Sequence, residues 1–297
     1  MQDEGVPELR SKAGVRVAIA AGVVTAIAVA VAVAWVLFGK NYNHSPSVIE
    51  KRELADEVCP KVTVSHFYKL EKDGKTSWLL GTRHAGVSLA KYPPGVGDAF
   101  RAARVAVFES NMADKQLPSE DVAAALGPDD WAKYEKLVGS EVAAKVRDKG
   151  VQLAATALAV LYEDRSQTLD KELQQAARDA HKQVVALEDQ GTSDHLAETY
   201  VGIDTLRKAL AQIPRRELLK SETARTLHEY CATGQRSDGS AFDKVTNART
   251  RAWVDKLVPL LEQGGVFVAV GVDHVDRGTL DLGNLLAQRG FVVTRVP

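Results

Sequence analysis

The sequence predicts an α/β domain in which helices cover a mixed sheet, preceded by one N-terminal transmembrane helix. Three observations support this fold class. Apolar strands alternate with helical segments towards both ends of the domain, and a long block of helical periodicity lies between them. Uninterrupted apolar runs, such as 105–108 and 266–270, are typical of strands that are buried on both faces. A separate uncharged run occupies residues 17–38.

The uncharged run at 17–38 is long enough to cross a bilayer core of roughly 30 Å as a helix. A cleaved signal peptide is the alternative, but its apolar region is usually only about 7–15 residues long. The one candidate cleavage site, Ala32-Val33-Ala34, lies inside the run. We therefore favour a membrane anchor.

Basic residues predict the orientation of this anchor. Arg10, Lys12 and Arg16 precede the apolar run, whereas only Lys40 follows it closely. Because positive charge is retained in the cytoplasm, residues 1–16 are expected to be a cytoplasmic tail. Residues 39–57 read as a polar linker and 58–297 as an extracytoplasmic domain, periplasmic or at the cell surface.

Composition limits the partners and leaves the redox state of the cysteines open. The formal net charge is −1, so no basic field points to nucleic acid. Cys59 and Cys231 could form a disulfide outside the cytoplasm, or they could be two unrelated buried thiols. The sequence does not decide between these two possibilities.

The elements of the domain follow from periodicity and turn residues. Asp73-Gly74 predicts a hairpin between the strands 62–70 and 77–80. Further strands are predicted at 104–108, 183–187, 266–270 and 291–296. Helices are predicted at 97–103, from 119, from 128, and at 151–161, 169–181, 193–234, 241–262 and 280–288.

Four of these strands are followed by residues whose side chains can bind a ligand such as a metal ion or can transfer protons. His84 follows the strand at 77–80, and Glu109 follows 104–108. Glu188 follows the strand at 183–187, and His274 follows 266–270. Both histidines stand in a Gly-x-x-His pattern. In an open α/β sheet the binding crevice lies beyond the carboxyl ends of the strands, so these side chains converge if the strands are parallel neighbours.

Two imidazoles and a carboxylate can bind a divalent metal and leave positions for water or substrate. Such a metal lowers the pKa of bound water and polarises a carbonyl, and a second carboxylate can then act as general base. The alternative is that each residue is a hydrogen-bonded polar group at the start of a loop. Neither Gly-x-x-His pattern is specific alone.

The segment Trp78-Leu79-Leu80-Gly81-Thr82-Arg83-His84 resembles the Leu-Leu-Gly-Thr-x-His signature of the TraB/GumN family, also called TraB/PrgY and related to the Tiki proteins. The second Gly-x-x-His block at 267–274 and the closing strand at 290–293 resemble further family elements. Thr250 stands where the family often has Asn. The likeness covers roughly residues 59–297.

This resemblance implies a fold of the erythromycin-esterase/ChaN-like kind. For Tiki-like members it also implies a protease that depends on manganese or cobalt. Carried over to this chain, it implies His84, Glu109 and His274 as metal ligands and Arg249 as a substrate or oxyanion contact. We assign Glu188 as a general base or as a partner of the ligands.

The sequence thus favours a membrane-anchored metallopeptidase that uses Mn, Co or Zn and acts on peptides or exposed protein segments. A non-catalytic protein that captures a peptide or a haem-like ligand in the same crevice is the alternative. A third possibility is a partner protein that binds through its helices at 193–262.

Overall fold

A computed structural model describes residues 45–110, 120–166, 168–189, 202–234, 242–276 and 280–297. The predicted anchor at 17–38 lies outside these residues. Within them, no helix is both long and apolar enough to cross a membrane.

The described residues form one mixed six-stranded sheet and eleven α-helices. The strands are β1 (Phe67–Lys72), β2 (Lys75–Thr82), β3 (Val105–Phe108), β4 (Gln183–Ala186), β5 (Val266–Gly271) and β6 (Val292–Arg295). The helices are α1 (Val48–Val58), α2 (Pro94–Ala102), α3 (Val122–Leu126), α4 (Pro128–Val138), α5 (Ser140–Val146), α6 (Val151–Ala159), α7 (Leu169–Asp179), α8 (Ile203–Gln212), α9 (Arg216–His228), α10 (Phe242–Leu261) and α11 (Leu282–Ala287).

The strand order is β4-β3-β5-β2-β1-β6. The first four strands in this order are mutually parallel, with Val107 opposite Val268 and Leu80 opposite Ala269. The hairpin turn at Asp73-Gly74 brings β1 back antiparallel to β2, and β6 pairs antiparallel with β1. The predicted mixed sheet and the parallel arrangement of the four site-bearing strands are therefore confirmed.

Alternate residues of the central strands enter two different cores, as the two-residue period of a strand requires. On one face Phe267 packs with Phe100 of α2 and Leu173 of α7. On the other face Val268 packs with Trp253 of α10 and Leu286 of α11. A third core, within the helical block α3–α6 and α8, lies around Tyr134, Leu158 and Leu206.

Helix α1 corrects the prediction that residues 39–57 form a linker, because the helix occupies most of its second half. The side chain of Ser47 caps the helix by accepting from the Glu50 N–H at 3.1 Å. Leu54 and Ala55 are buried against the domain. The globular part of the chain therefore begins before Cys59.

A disulfide joins Cys59, directly after α1, to Cys231. Both cysteines are fully buried. The bond closes a loop across a sequence separation of 172 residues. It ties α1 to the short π-helical turn at Glu229–Thr233, at the end of α9. This pairing answers the question that the sequence left open.

Candidate functional site at the carboxyl edge of the sheet

The strand-end residues meet at one edge of the sheet. His84 follows β2, Glu109 follows β3 and His274 lies in the 3-10 turn after β5. The Nε2 atom of His84 lies 3.8 Å from Glu109 Oε1, and the Nε2 atom of His274 lies 3.9 Å from the same oxygen. The structure therefore brings together the three residues that the sequence proposed as ligands.

A hydrogen bond orients each imidazole through its other nitrogen. His84 Nδ1 donates to Asp170 Oδ2 at 2.8 Å, and Asp170 is in turn held by the Thr82 hydroxyl at 3.0 Å. The Thr250 hydroxyl donates to the carbonyl of Thr246 at 2.6 Å, so it accepts from His274 Nδ1 at 2.7 Å. Both Nε2 atoms are thereby directed towards Glu109.

Asp170 was missed from the sequence, because it stands in the first turn of a helix and follows no strand. An acidic residue there is readily explained by the helix dipole alone. Only the docking of α7 against β3 and β4, which brings its first turn to the end of β2, reveals its partner. Thr250 was noted as a departure from the family pattern, and the structure shows that its hydroxyl can still serve His274.

Arg249 on α10 binds both carboxylates of the site. Its Nη2 donates to Glu109 Oε2 at 2.8 Å, and its Nε donates to Glu188 Oε1 at 2.9 Å. Trp253 Nε1 donates to the other oxygen of Glu188 at 3.1 Å. Glu188 is only 7% exposed. Both oxygens of Glu188 thus face donors inside the protein, and its carboxylate fixes the position of the guanidinium.

These contacts change the acidity of the site. Burial would raise the pKa of Glu109, but the two imidazoles, Arg249 and the Gly271 N–H hold it well below its usual range. Desolvation lowers the pKa of His84, but the charge and hydrogen bond of Asp170 outweigh it and raise this pKa to about 9. The site therefore holds an ionised carboxylate beside a protonated, accessible imidazole.

Glycine is required where β5 meets the site. The Gly271 N–H donates to Glu109 Oε1 at 2.5 Å. A Cβ atom at this position would lie 2.9 Å from that oxygen and 3.0 Å from His84 Nε2. The glycine of the second Gly-x-x-His pattern thus makes room for the strand-end side chains.

The site opens into a crevice of about 480 Å³. Glu109, His84 and Arg249 form its ionic end, and Phe108 and Val272 contribute apolar surface. His84 keeps 62% of its side-chain surface exposed, whereas His274 keeps only 4%. A ligand that enters the crevice therefore meets His84 first.

The described residues contain no group of three or more His, Cys, Asp and Glu side chains spaced to hold a metal ion. Arg249 pairs with Glu109, and its Nη1 atom lies 3.5 Å from His274 Nε2, so a cation already faces both residues. The donor types nevertheless suit a divalent cation. The Nε2 atoms of His84 and His274 face the same carboxylate, and the Nδ1 atom of each ring is hydrogen-bonded to a neighbouring side chain.

Comparisons with known proteins agree with the motifs at the ends of β2 and β5. No curated protein and no solved structure matches the chain significantly. The profile of the TraB/PrgY/gumN family matches residues 66–295, which include both Gly-x-x-His patterns, Glu109, Glu188 and Arg249. The chain belongs to the TraB/PrgY/gumN family.

Proposed function

We propose that the crevice is the active site of a metal-dependent hydrolase, a peptidase acting on peptides or exposed protein segments outside the cytoplasm. One observation carries the proposal. Two imidazoles present Nε2 to the same carboxylate oxygen while Asp170 and Thr250 hold their Nδ1 atoms. This is the arrangement in which protein imidazoles bind metals.

In this proposal His84, Glu109 and His274 hold Mn, Co or Zn. A bound divalent metal would polarise the scissile carbonyl and lower the pKa of a water molecule. Arg249 serves as the cationic contact for the oxygen on which negative charge develops. Glu188 takes the second of its two expected roles, because it positions Arg249 instead of acting as a free base.

We propose that the uncharged run at 17–38 anchors this activity at a membrane. We retain the proposed orientation, in which residues 1–16 are cytoplasmic and the hydrolase domain is extracytoplasmic. The buried disulfide is compatible with an oxidising compartment. This orientation is tested independently of the hydrolase activity by adding a tag to the N-terminus and applying protease from either side of the membrane.

Metal binding by the purified full-length chain tests the assignment of the ligands. Calorimetric titration with Mn²⁺, Co²⁺ and Zn²⁺ is expected to show one site, which His84→Ala and His274→Ala both abolish. His228→Ala is the matched control, because His228 is exposed on α9 and does not border the crevice. A wild-type chain that binds none of the three ions contradicts the proposal.

A non-catalytic binding protein is the second candidate, and the paired state of Arg249 favours it. Arg249 already forms ion pairs with both Glu109 and Glu188. Incubation of a mixed peptide library with the metal-loaded chain, followed by mass spectrometry, separates the two functions. New cleavage products that are absent with His84→Ala support the hydrolase, and stoichiometric binding without cleavage supports the binder.

A further inference from the structure

One wall of the crevice is built by the segment between α6 and α7 and by the first turn of α7. Its backbone is fixed to the loop after β2. The Gly86 N–H donates to the Asp164 carbonyl at 2.9 Å, and Val87 forms a parallel bridge with Thr168. The Leu89 N–H donates to Glu172 Oε2 at 2.7 Å. Side chains on this wall therefore project from a well-anchored backbone.

Most of the charges that border the crevice are matched within the protein. Glu109 pairs with Arg249. Asp170 pairs with His84, and Glu163 pairs with Arg83 at 2.5 Å. Each of these carboxylates has a cationic partner within the protein, and Arg83 and Arg249 have already used donors on these partners.

Arg165 and Lys171 differ from these pairs. Both are exposed, both border the crevice, and both stand on the fixed wall. Among the described residues, neither forms an ion pair or a side-chain hydrogen bond. Asp273, in the turn after β5, is one further acidic residue at the crevice. Among the described residues that border the crevice, Arg165 and Lys171 are thus the two cations with no ion-pair partner.

We propose that Arg165 and Lys171 recognise a carboxylate of the ligand at the mouth of the crevice, so that the site selects acidic peptides or peptides with a free C-terminal carboxylate. This substrate class rests on the proposed peptidase function. A guanidinium offers paired donors that match a carboxylate, and an ammonium on the same wall of the crevice adds a second positive charge. The anchored backbone reduces the ordering that binding would otherwise require.

Binding of defined peptides to the full-length chain tests this selectivity without any need for turnover. The probe is a Gly/Ala/Leu peptide containing two Glu residues and a neutral fluorophore at its N-terminus, read by fluorescence anisotropy. Two comparison peptides are used. One has Gln in place of both Glu residues, and the other has an amide in place of the C-terminal carboxylate. Loss of affinity in the Gln version assigns recognition to acidic side chains, and loss in the amide assigns it to the C-terminus.

The double variant Arg165→Gln/Lys171→Gln is expected to bind the Glu probe about tenfold more weakly, as the loss of two partly exposed ion pairs predicts. The matched control is Lys136→Gln/Lys208→Gln. It removes the same charge from exposed positions that do not border the crevice. A second variant, Lys171→Glu, is expected to reduce the preference for the Glu probe further. Unchanged thermal unfolding of each variant excludes misfolding as the cause.

Equal binding of all three peptides by the wild type would overturn the inference, and so would equal losses in the control. Failure of the peptidase proposal has a different signature. Hydrolysis of all three peptides with equal kcat/KM keeps that function and removes the selectivity. Acid-selective binding without hydrolysis removes the peptidase and keeps the carboxylate recognition.

Discussion

Arg249 Nη2 donates to Glu109 Oε2 at 2.8 Å, although 140 positions separate the two residues in the chain. Arg249 also binds Glu188, which is buried behind it. The Arg249 side chain is 15% exposed, and its pKa is raised because the two carboxylates outweigh the effect of burial. The pair is therefore a structural element of the domain as well as a part of the candidate site.

Replacing Arg249 by Met is expected to lower the free energy of unfolding by about 3–5 kcal/mol, because Glu188 would stay buried without its charged partner. Urea unfolding followed by circular dichroism measures this. Arg251→Met, at an exposed position on the same helix, is the control. A loss below about 1 kcal/mol would show that water or a rearranged side chain compensates for the missing guanidinium.

Asp170→Asn is expected to weaken metal binding roughly 10–100-fold, since the His84 imidazole loses its charged acceptor. The change keeps the size of the side chain. Asp179→Asn is a control on the same helix, where the carboxylate is exposed and accepts only from Gln175 among the contacts of the described residues. Titration calorimetry compares the two variants, and equal affinities would remove Asp170 from the site.

Metal affinity is expected to rise with pH, by about tenfold per unit, until it levels off near pH 9. A metal must displace the proton of His84, whose pKa is raised to about 9. Without metal, the stability of the fold is expected to fall as the pH rises. A raised pKa stabilises the fold below the unfolded value of about 6.5, and this contribution is lost as pH rises towards 9. Proton release on metal binding, measured in buffers of different ionisation enthalpy, checks the pH dependence of metal affinity. His84→Gln is expected to flatten the pH dependence of both the metal affinity and the stability of the fold.

Gly271→Ala is expected to abolish metal binding while the domain stays folded. The added methyl would lie against Glu109 and His84 at the edge of the sheet, outside its cores. Gly95→Ala is the matched control, because a Cβ there meets nothing within 4 Å. Titration calorimetry and thermal unfolding of both variants check this, and normal metal affinity in Gly271→Ala would contradict the site geometry.

Removal of the disulfide by Cys59→Ser/Cys231→Ser is expected to lower the free energy of unfolding by about 2–5 kcal/mol, because the bond closes a long loop. Urea unfolding of the oxidised wild type, the reduced wild type and the double variant measures this cost. The reduced wild type should resemble the variant. Equal stability of all three forms would mean that native contacts alone hold α1 in place.

The sequence predicted the residues that lie directly behind strands more successfully than those that depend on the docking of helices. His84 and His274 were found because an apolar run that ends in a glycine and a histidine is a local pattern. Their neighbourhood followed from a general rule about parallel sheets. Asp170 belongs to a helix that could pack in many registers, so no local signal distinguished it from an ordinary surface acid.

Two other features of the structure were also not predicted from the sequence. The pairing of Arg249 with Glu109 and Glu188 depends on how α10 crosses the sheet, which periodicity does not encode. Helix α1 had a usable signal, since Ser47 and Glu50 have the spacing of a capping box. The loop-forming residues at 41–47 suggested a linker. The helix buries Leu54 and Ala55 against the domain.

The strand order has a consequence for a chain made from its N-terminus. Strand β5 pairs on both sides, with β2 and with β3, yet it follows all of β1–β4 in the sequence. Until the ribosome has released it, two open edges face each other across a gap, where a chaperone or another nascent chain could bind. His274 arrives with the same late segment. A chain truncated before this segment would therefore have no assembled candidate site.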